Sequence, residues 1–196
     1  MNILTFDIEE WYHIRFDKEF LNNSVLLSSL EKRLDYNINL ILDMLDKHNQ
    51  NASFFCLGEV ARNSPKIIRL IKDRGYDIGC HSDSHRLITS MTEKEFEDDL
   101  SVALDSIQSE SGEKVYMYRA PAFSITNDNT WAFDVMHEQG ILIDSSVFPA
   151  SRDFGGMESV NFPYPKKIIT SSGFSIKEFP MSTYSIFGKE LVFTGG

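Results

Sequence analysis

The stretch that decides the fold is Asp-Ile-Gly-Cys-His-Ser-Asp-Ser-His, residues 77–85. With Tyr76 before it, its first half predicts a short buried strand over 76–80. That strand leads directly into His81 and His85, which are four positions apart. Two neutral imidazoles at this spacing can converge on one metal ion from a helical turn or from a tight loop. The stretch therefore indicates a metal site at the end of a strand, although two ordinary surface histidines would have the same spacing.

Two imidazoles need a third, usually anionic, ligand, and the best acids lie in the opening segment. Asp7, Glu9 and Glu10 crowd the end of the first apolar run. Side chains alternate along a strand, so Asp7 and Glu9 would point the same way. Their like charges would raise the pKa of one of them unless a cation lay between them. We therefore expect one of these acids to hold a metal and the other to hold a water, with Glu10 further out or facing solvent; an ordinary acidic loop is the alternative.

The hydrophobic pattern predicts strands alternating with helices over the first 145 residues. The predicted strands are 2–7, 52–57, 76–80, 115–119 and 141–144, and the predicted helices cover 26–45, 65–74, 92–111 and 128–139. Such units imply a parallel sheet with right-handed crossovers, either an α/β barrel or an open doubly wound layer. Polar residues at the strand ends favour the barrel, because its rim is where α/β barrels build sites. Beyond 149 we expect a loop, a hairpin around Ser172-Gly173 and a last strand at 191–194.

The fourth predicted strand leads into Tyr-Arg-Ala-Pro-Ala-Phe, residues 118–123. A guanidinium at the strand end can grip a carboxylate at two points, and we assign Arg119 to Asp7 on that ground. An ordinary surface arginine is the alternative. The proline of this stretch fixes the loop, so the backbone N–H groups of Ala122 and Phe123 would face an oxyanion.

The bulk composition excludes some partners. The net charge of −10 and the isoelectric point near 4.9 argue against nucleic acid and anionic membrane surfaces, and a neutral substrate fits better. Cys56 and Cys80 end apolar runs, which indicates buried thiols in a reducing compartment. The sequence has neither a run of ~20 apolar residues nor a secretion signal. We therefore expect a cytoplasmic protein without a membrane span.

Together these motifs resemble the polysaccharide deacetylases of carbohydrate esterase family four, the NodB-homology domain. The segment Thr5–Glu9 is similar to the family motif Thr-Phe-Asp-Asp-Gly, and His81–His85 matches His-[Ser/Thr]-x-x-His. Arg119–Phe123 is similar to Arg-x-Pro-aromatic, and 144–146 lies where the fourth motif begins. The resemblance covers about 3–150. The Asp-x-Glu-Glu-Trp variant is similar to a branch of cytoplasmic or exopolysaccharide-locus members.

The resemblance implies a deformed (β/α) barrel forming one catalytic domain over 1–196. It implies removal of acetyl groups from N-acetylated sugars of a polysaccharide or its precursor, in surface polysaccharide biosynthesis. Matching the motifs makes Asp7 the general base and Arg119 its tether. The same matching makes Glu9, His81 and His85 the ligands of one divalent metal. Zinc suits these ligands best, with nickel, cobalt or manganese as alternatives.

The substrate side of the site is predicted from aromatic residues and from the fourth motif. Trp11, Tyr12 and Phe123 would form a wall on which a sugar ring stacks, with core packing as the alternative. The resemblance adds Asp144 as a further substrate-binding residue.

The sequence departs from the family pattern in ways that matter. The metal-binding acid is a glutamate, so Glu10 stays in play, and the aromatic residue of the third motif comes one position late. The family's closing Leu-x-His, which supplies the general acid, has no counterpart after His137. Either His13 replaces it or the sequence stops short of it. We favour the second reading, with the last strand missing and the exposed sheet edges inviting a homo-oligomer.

Two other functions fit parts of the pattern. A catalytically silent sugar-binding relative would explain the absent acid. A metal phosphoesterase would usually need more metal ligands than the sequence offers, and its phosphate substrate suits a negatively charged protein poorly.

Overall fold

The computed structural model describes residues 3–13, 33–149, 155–157, 164–186 and 189–192. The helices are α1 Leu34–His48, α2 Gly58–Asn63, α3 Pro65–Asp73, α4 Glu93–Ser111 and α5 Trp131–Glu138. The strands are β1 Leu4–Ile8, β2 Ala52–Cys56, β3 Asp77–Cys80, β4 Met117–Tyr118, β5 Ile143–Asp144, β6 Lys166–Ile169, β7 Ser175–Glu178, β8 Thr183–Ile186 and β9 Lys189–Val192. Single helical turns at Ile88–Ser90 and Pro121–Phe123 complete the described elements.

Seven strands form one mostly parallel sheet in the order β1-β2-β3-β4-β5-β7-β6. Strands β1 to β5 and β7 run parallel, and β6 pairs antiparallel with β7. This confirms the predicted parallel α/β fold and the predicted hairpin. Within the described residues β1 and β6 are the two edges, so the sheet is not closed there into a complete barrel.

The boundaries differ from the sequence pattern in several places. Strands β4 and β5 are two residues each, shorter than predicted, although backbone bonds to the neighbouring strands continue beside them: the N–H of Arg119 donates to Cys80 of β3 and the N–H of Lys177 in β7 donates to Leu142, both at 2.9 Å. Strand β8 was not predicted, and it pairs with β9 as a separate hairpin. Helix α1 begins at Leu34, and the earlier part of the predicted helix, 26–32, lies outside the described residues.

Local signals account for how the helices start and stop. Thr92 and Glu95 form the predicted capping box of α4, and Gly112 ends that helix in the left-handed conformation at φ 67°. Helix α3 starts with Pro65 in its first turn, but the side chain of Ser64 makes no capping hydrogen bond. Its start therefore depends on the fixed φ of proline and not on the serine cap predicted from the sequence.

One apolar core joins the sheet to the helices. Phe54 of β2, Ile68 of α3, Phe96 of α4 and Tyr118 of β4 are all completely buried in it. The isoleucine and the two phenylalanines each contribute about 1.5–3 kcal/mol by leaving water. Among the described residues no helix combines the length and the apolar character needed to span a bilayer.

The two cysteines belong to this core. Cys56 and Cys80 are free thiols with no solvent exposure, as predicted. Burial raises the pKa of both thiols well above the usual range, so they stay protonated and unreactive at neutral pH.

Candidate metal centre

The parallel register brings the predicted site residues to one edge of the sheet. The register aligns one row of residues across the strands, namely Ile8, Cys56, Cys80, Tyr118, Asp144 and Glu178. The residues that follow this row leave the sheet side by side. Glu9, His81 and Arg119 are therefore neighbours in space although they are far apart in the sequence.

Three side chains converge at this edge as potential metal ligands. One ligand atom from each of Glu9, His81 and His85 can be chosen so that all three lie within 4.8 Å of one another. Nε2 of His85 is 3.1 Å from Oε2 of Glu9. Nδ1 of His81 lies 2.8 Å from the carbonyl oxygen of Arg119 and donates to it. That bond fixes the tautomer of His81, so its Nε2 carries the lone pair that a metal needs.

The electrostatics of this cluster suit a cation. Burial and then the charge of Asp7 raise the pKa of Glu9 to about 8. Burial and then the neighbouring His81 lower the pKa of His85 to about 3, and burial also lowers the pKa of His81. Oε2 of Glu9 is buried without a hydrogen bond among the described residues. A divalent ion would supply the missing positive charge and the missing partner, so the residues present fit a metal.

Hydrogen bonds within the loop and to neighbouring helices fix the loop that carries the two histidines. Ser82 and His85 adopt left-handed backbone conformations with φ of 70° and 61°, at a cost of about 1–3 kcal/mol each. Oγ of Ser82 accepts the N–H of His85 at 3.0 Å, and Oδ2 of Asp99 accepts the N–H of Asp83 at 2.9 Å. Arg62 binds both oxygens of Asp83 at 2.6 and 2.9 Å. The carboxylate of Asp83 is thus committed to Arg62, which fixes the loop.

Arg119 and Asp7 meet as predicted, but through one bond. An Nη of Arg119 lies 2.9 Å from Oδ1 of Asp7, while the other Nη donates to Oγ of Ser145 at 2.9 Å. The predicted two-point grip is therefore wrong. The guanidinium stacks 4.3 Å from the ring of Phe55. Gly79 makes room for that ring, because a Cβ there would lie 2.6 Å from it.

The structure separates the roles of the two neighbouring glutamates. The carboxylate of Glu10 accepts the backbone N–H groups of Arg33 and Leu34 at 3.2 and 3.3 Å, and so caps the start of α1. Helix N-termini favour such a negative charge. Glu10 is therefore engaged away from the three converging ligands, and Glu9 is the acid that the cluster contains.

His13 lies beside this cluster. Its Nδ1 accepts the backbone N–H of Glu10 at 2.9 Å, so in the neutral ring the proton sits on Nε2. Nε2 is buried without a hydrogen bond among the described residues, and it is 3.9 Å from a carboxylate oxygen of Glu59. The charge of His13 contributes to the lowered pKa of both His81 and His85, which puts it within electrostatic range of them.

The three predicted wall residues have different surroundings. Trp11 is 45% exposed, whereas Tyr12 is buried and meets Trp11 edge to face. Phe123 packs against Phe148 with ring centroids 5.7 Å apart. The N–H of Phe123 donates to the carbonyl of Ala120 at 3.0 Å, so the predicted oxyanion contact from Phe123 is wrong.

A cleft next to the ligand cluster offers space for a substrate. Its volume is about 520 Å³. The residues lining it are Glu9, Glu10, Trp11, Arg33, Leu34 and Asn37. Trp11 thus lies on an open cleft that Glu9 of the cluster also lines.

Asp144 is not positioned to touch a substrate. Its side chain is completely buried, and its two oxygens accept the hydroxyl and the N–H of Ser146 at 2.5 and 3.1 Å. Burial prevents the substrate contact predicted for it. Sequence reasoning missed Ser145 and Glu178, which surround it. Glu178 had a usable signal, since it is an acid at the end of a strand in the same way as Asp7.

The fold and the cluster of Glu9, His81 and His85 define the class of this protein. It is a parallel α/β protein with a candidate single-metal site at the carboxyl ends of its strands. The family model for polysaccharide deacetylase matches residues 29–140, more than half of the chain. The chain belongs to the polysaccharide deacetylase family, whose members are hydrolases acting on N-acetylated sugars. The matched region contains His81, His85 and Arg119, whereas Asp7 and Glu9 lie before it.

Individual relatives agree with this assignment. A peptidoglycan-N-acetylglucosamine deacetylase of Bacillus cereus is 33% identical over 93 residues, covering 47% of this chain and 34% of that protein. A putative polysaccharide deacetylase from Mycobacterium smegmatis has the same fold, with a TM-score of 0.72 at 22% identity over 92% of this chain and 58% of that one. A pseudoenzyme of carbohydrate esterase family four from Bacillus anthracis has a TM-score of 0.54 at 18% identity, over 79% of this chain and 41% of that one.

The chain spans 17% to 35% of the length of the curated relatives it matches.

Proposed function

We propose that this chain contains the metal-binding and base-supplying part of an N-deacetylase that acts on a sugar of a polysaccharide or its precursor. The observation that carries the proposal is the convergence of Glu9, His81 and His85 beside the Arg119–Asp7 pair. The family supports the reaction class, and the B. cereus relative supports an N-acetylated sugar as substrate. Zinc is the proposed metal, because two imidazoles and one carboxylate leave coordination open for water and substrate.

Each residue has a proposed task in amide hydrolysis. A divalent metal bound by Glu9, His81 and His85 would polarise the acetyl carbonyl and lower the pKa of a water molecule. Asp7 is the proposed acceptor of a proton from the attacking water, whose oxygen would form the new bond to the acetyl carbonyl carbon. Arg119 orients Asp7 through the 2.9 Å bond between them. The C–N bond then breaks, and the products are acetate and the free amine of the sugar.

The departing amine needs a proton, and His13 is the proposed donor among the described residues. To act as the acid, the His13 ring must first be an imidazolium; it would then release the proton of Nε2, which makes no hydrogen bond among the described residues, and return to the neutral ring. Trp11, at the cleft, is the proposed platform for the sugar ring, because sugars stack on exposed aromatic faces while a buried ring is inaccessible to them. Tyr12 and Asp144 have no proposed contact with substrate.

The experiment measures zinc binding and acetate release on the purified chain. Wild type should bind one zinc ion per chain, and acetate release from N-acetylglucosamine oligomers should depend on that zinc. His81→Ala should lower zinc affinity at least about 100-fold, since losing a ligand costs more than losing its outer support. His48→Ala is the matched control, because His48 is exposed on α1, far along the helix from its capped start. Equal zinc affinity in the two variants would reject the ligand assignment.

A second function has a specific observation in its favour. Described residues offer His13 alone as a proton donor beside the cluster, and a neighbour of the same fold is a pseudoenzyme. A catalytically silent relative would bind zinc and N-acetylated sugars without releasing acetate. Release of acetate that disappears in Asp7→Asn, with zinc binding retained, would exclude it.

The cellular setting is proposed from the sequence alone. Residues 1–196 form one catalytic domain in this proposal, and the protein acts in the cytoplasm during surface polysaccharide biosynthesis. Association into a homo-oligomer is a further expectation, which size-exclusion chromatography with light scattering would test.

A further inference from the structure

Two acidic side chains face each other inside the sheet, away from the ligand cluster. Asp144 ends β5 and Glu178 ends β7, and the two residues are direct partners in the parallel register. Both are completely buried, and their backbones lie side by side in adjacent strands. Two ionised carboxylates in contact without water are strongly unfavourable, because each repels the other and neither is solvated. One proton on the pair would remove this repulsion and allow a hydrogen bond between the two carboxyl groups.

The remaining hydrogen bonds assign that proton to Glu178. Burial raises the pKa of Asp144, but Asp144 also accepts two bonds from Ser146, which lower that pKa and favour the ionised form. Oε1 of Glu178 accepts the N–H of Val147 at 3.1 Å, whereas Oε2 is buried and no described group donates to it. An oxygen that receives no donor gains most by carrying a proton and donating it. Burial and then the charge of Asp144 raise the pKa of Glu178, which is the same direction.

The acid pair closes a turn that supports the proposed catalytic base. Oγ of Ser146 donates to Asp144 and accepts the N–H of Ala120 at 2.8 Å. Ser145, next in the turn, accepts Arg119 through both its hydroxyl and its carbonyl, at 2.9 and 3.3 Å. A change in the acid pair would therefore move the residue that holds the proposed base.

We propose that Glu178 is a positioning residue: it is protonated in the folded protein, donates from Oε2 to Asp144, and thereby fixes the turn 144–146 that holds Arg119 against Asp7. The positioning step rests on the proposed function, but the protonation does not. Three charged residues face or pair with Glu178, namely Asp144 from β5, Arg119 after β4 and Lys166 opposite it in β6.

The protonation is tested without any activity measurement. Glu178→Gln keeps the shape and the donor, and Glu138→Gln is the matched control because Glu138 is exposed on α5. At pH 7 the infrared difference spectrum between wild type and Glu178→Gln should contain the carbonyl band of a protonated carboxyl group. The difference spectrum for Glu138→Gln should contain a carboxylate band instead. A carboxylate band at Glu178 would overturn the proposal.

Unfolding gives an independent test with a defined sign. The raised pKa of Glu178 means that its contribution to stability is present at low pH and is lost as pH rises above the ordinary range of a carboxyl group. The unfolding equilibrium constant of wild type, divided by that of Glu178→Gln, should therefore rise about tenfold for each pH unit between pH 5 and 7. Parallel curves for the two proteins would contradict a protonated Glu178.

The positioning step needs a donor comparison. Glu178→Gln should retain acetate release close to wild type, because its amide can still donate to Asp144. Glu178→Leu fills similar space without a donor and should lower kcat at least about tenfold, with KM and zinc affinity little changed. Equal losses in both variants would reject the donor role. If wild type itself releases no acetate, the proposed function fails while the two protonation tests still decide the state of Glu178.

Discussion

Zinc binding should depend on pH through Glu9, and the size of the effect follows from its surroundings. Burial and the charge of Asp7 raise the pKa of Glu9 to about 8, so at pH 7 roughly nine in ten metal-free molecules carry a proton on Glu9. Zinc must displace that proton. His85, with a pKa lowered to about 3, is neutral at this pH and does not compete. The apparent zinc affinity should thus rise about tenfold from pH 6 to 7 and about fivefold from pH 7 to 8, then level off.

The assay is isothermal titration calorimetry at pH 7 in buffers of different ionisation enthalpy, which counts released protons. Glu9→Gln is the control, since any proton from metal-bound water or another source remains in it. Wild type should release about 0.9 proton more than Glu9→Gln. With an ordinary Glu9 and ordinary histidines, affinity would change less than about twofold from pH 7 to 8. Equal proton release in the two proteins would refute the raised pKa of Glu9 in the metal-free protein.

The raised pKa of Glu9 also makes the stability of the metal-free protein depend on pH. The pKa of Glu9 is higher in the folded chain than its ordinary value of 4.5, so the folded state binds the extra proton. Stability from this group is present at low pH and is lost as pH rises through about 8. Zinc replaces the proton, so the metal-bound protein should not lose this stability between pH 6 and 8.

Two further predictions concern the support of the site. Arg119→Lys keeps the positive charge, but a lysine cannot contact both Asp7 and Ser145. Loss of one charged hydrogen bond, worth about 1.5–3 kcal/mol, should lower kcat/KM about 10–100-fold and leave the zinc affinity unchanged. An unchanged kcat/KM would contradict the proposed role of Arg119 in holding Asp7. Gly58→Ala should destabilise the fold by about 1–3 kcal/mol in urea unfolding, because the added Cβ would lie 2.7 Å from the backbone of α4. The exposed Ser109→Ala on that helix should stay within about 0.5 kcal/mol of wild type, and equal stability of the two variants would show that α2 moves freely away from α4.

Local sequence signals determined most of the fold. The capping box at Thr92 and the left-handed glycine after α4 depend on neighbours three or four residues away, so a pattern of letters contains them. The same is true of the apolar periodicity that defined strands followed by helices. The order of those units then predicts a parallel sheet, whose register aligns the strand ends. For this reason the meeting of the opening acids with His81 and His85 was predictable before any coordinates.

The tertiary structure decided which acid does what. Glu9 and Glu10 are adjacent in the sequence, yet Glu10 is engaged by backbone N–H groups at the start of α1, more than twenty residues later. Asp144 is completely buried, so it cannot make the substrate contact predicted for it, and Glu178 lies opposite it in another strand. The task of a carboxylate depends on which donors and charges surround it, and packing brings those from distant parts of the chain. A sequence pattern records where an acid stands along the chain, while only the folded arrangement fixes which groups surround it.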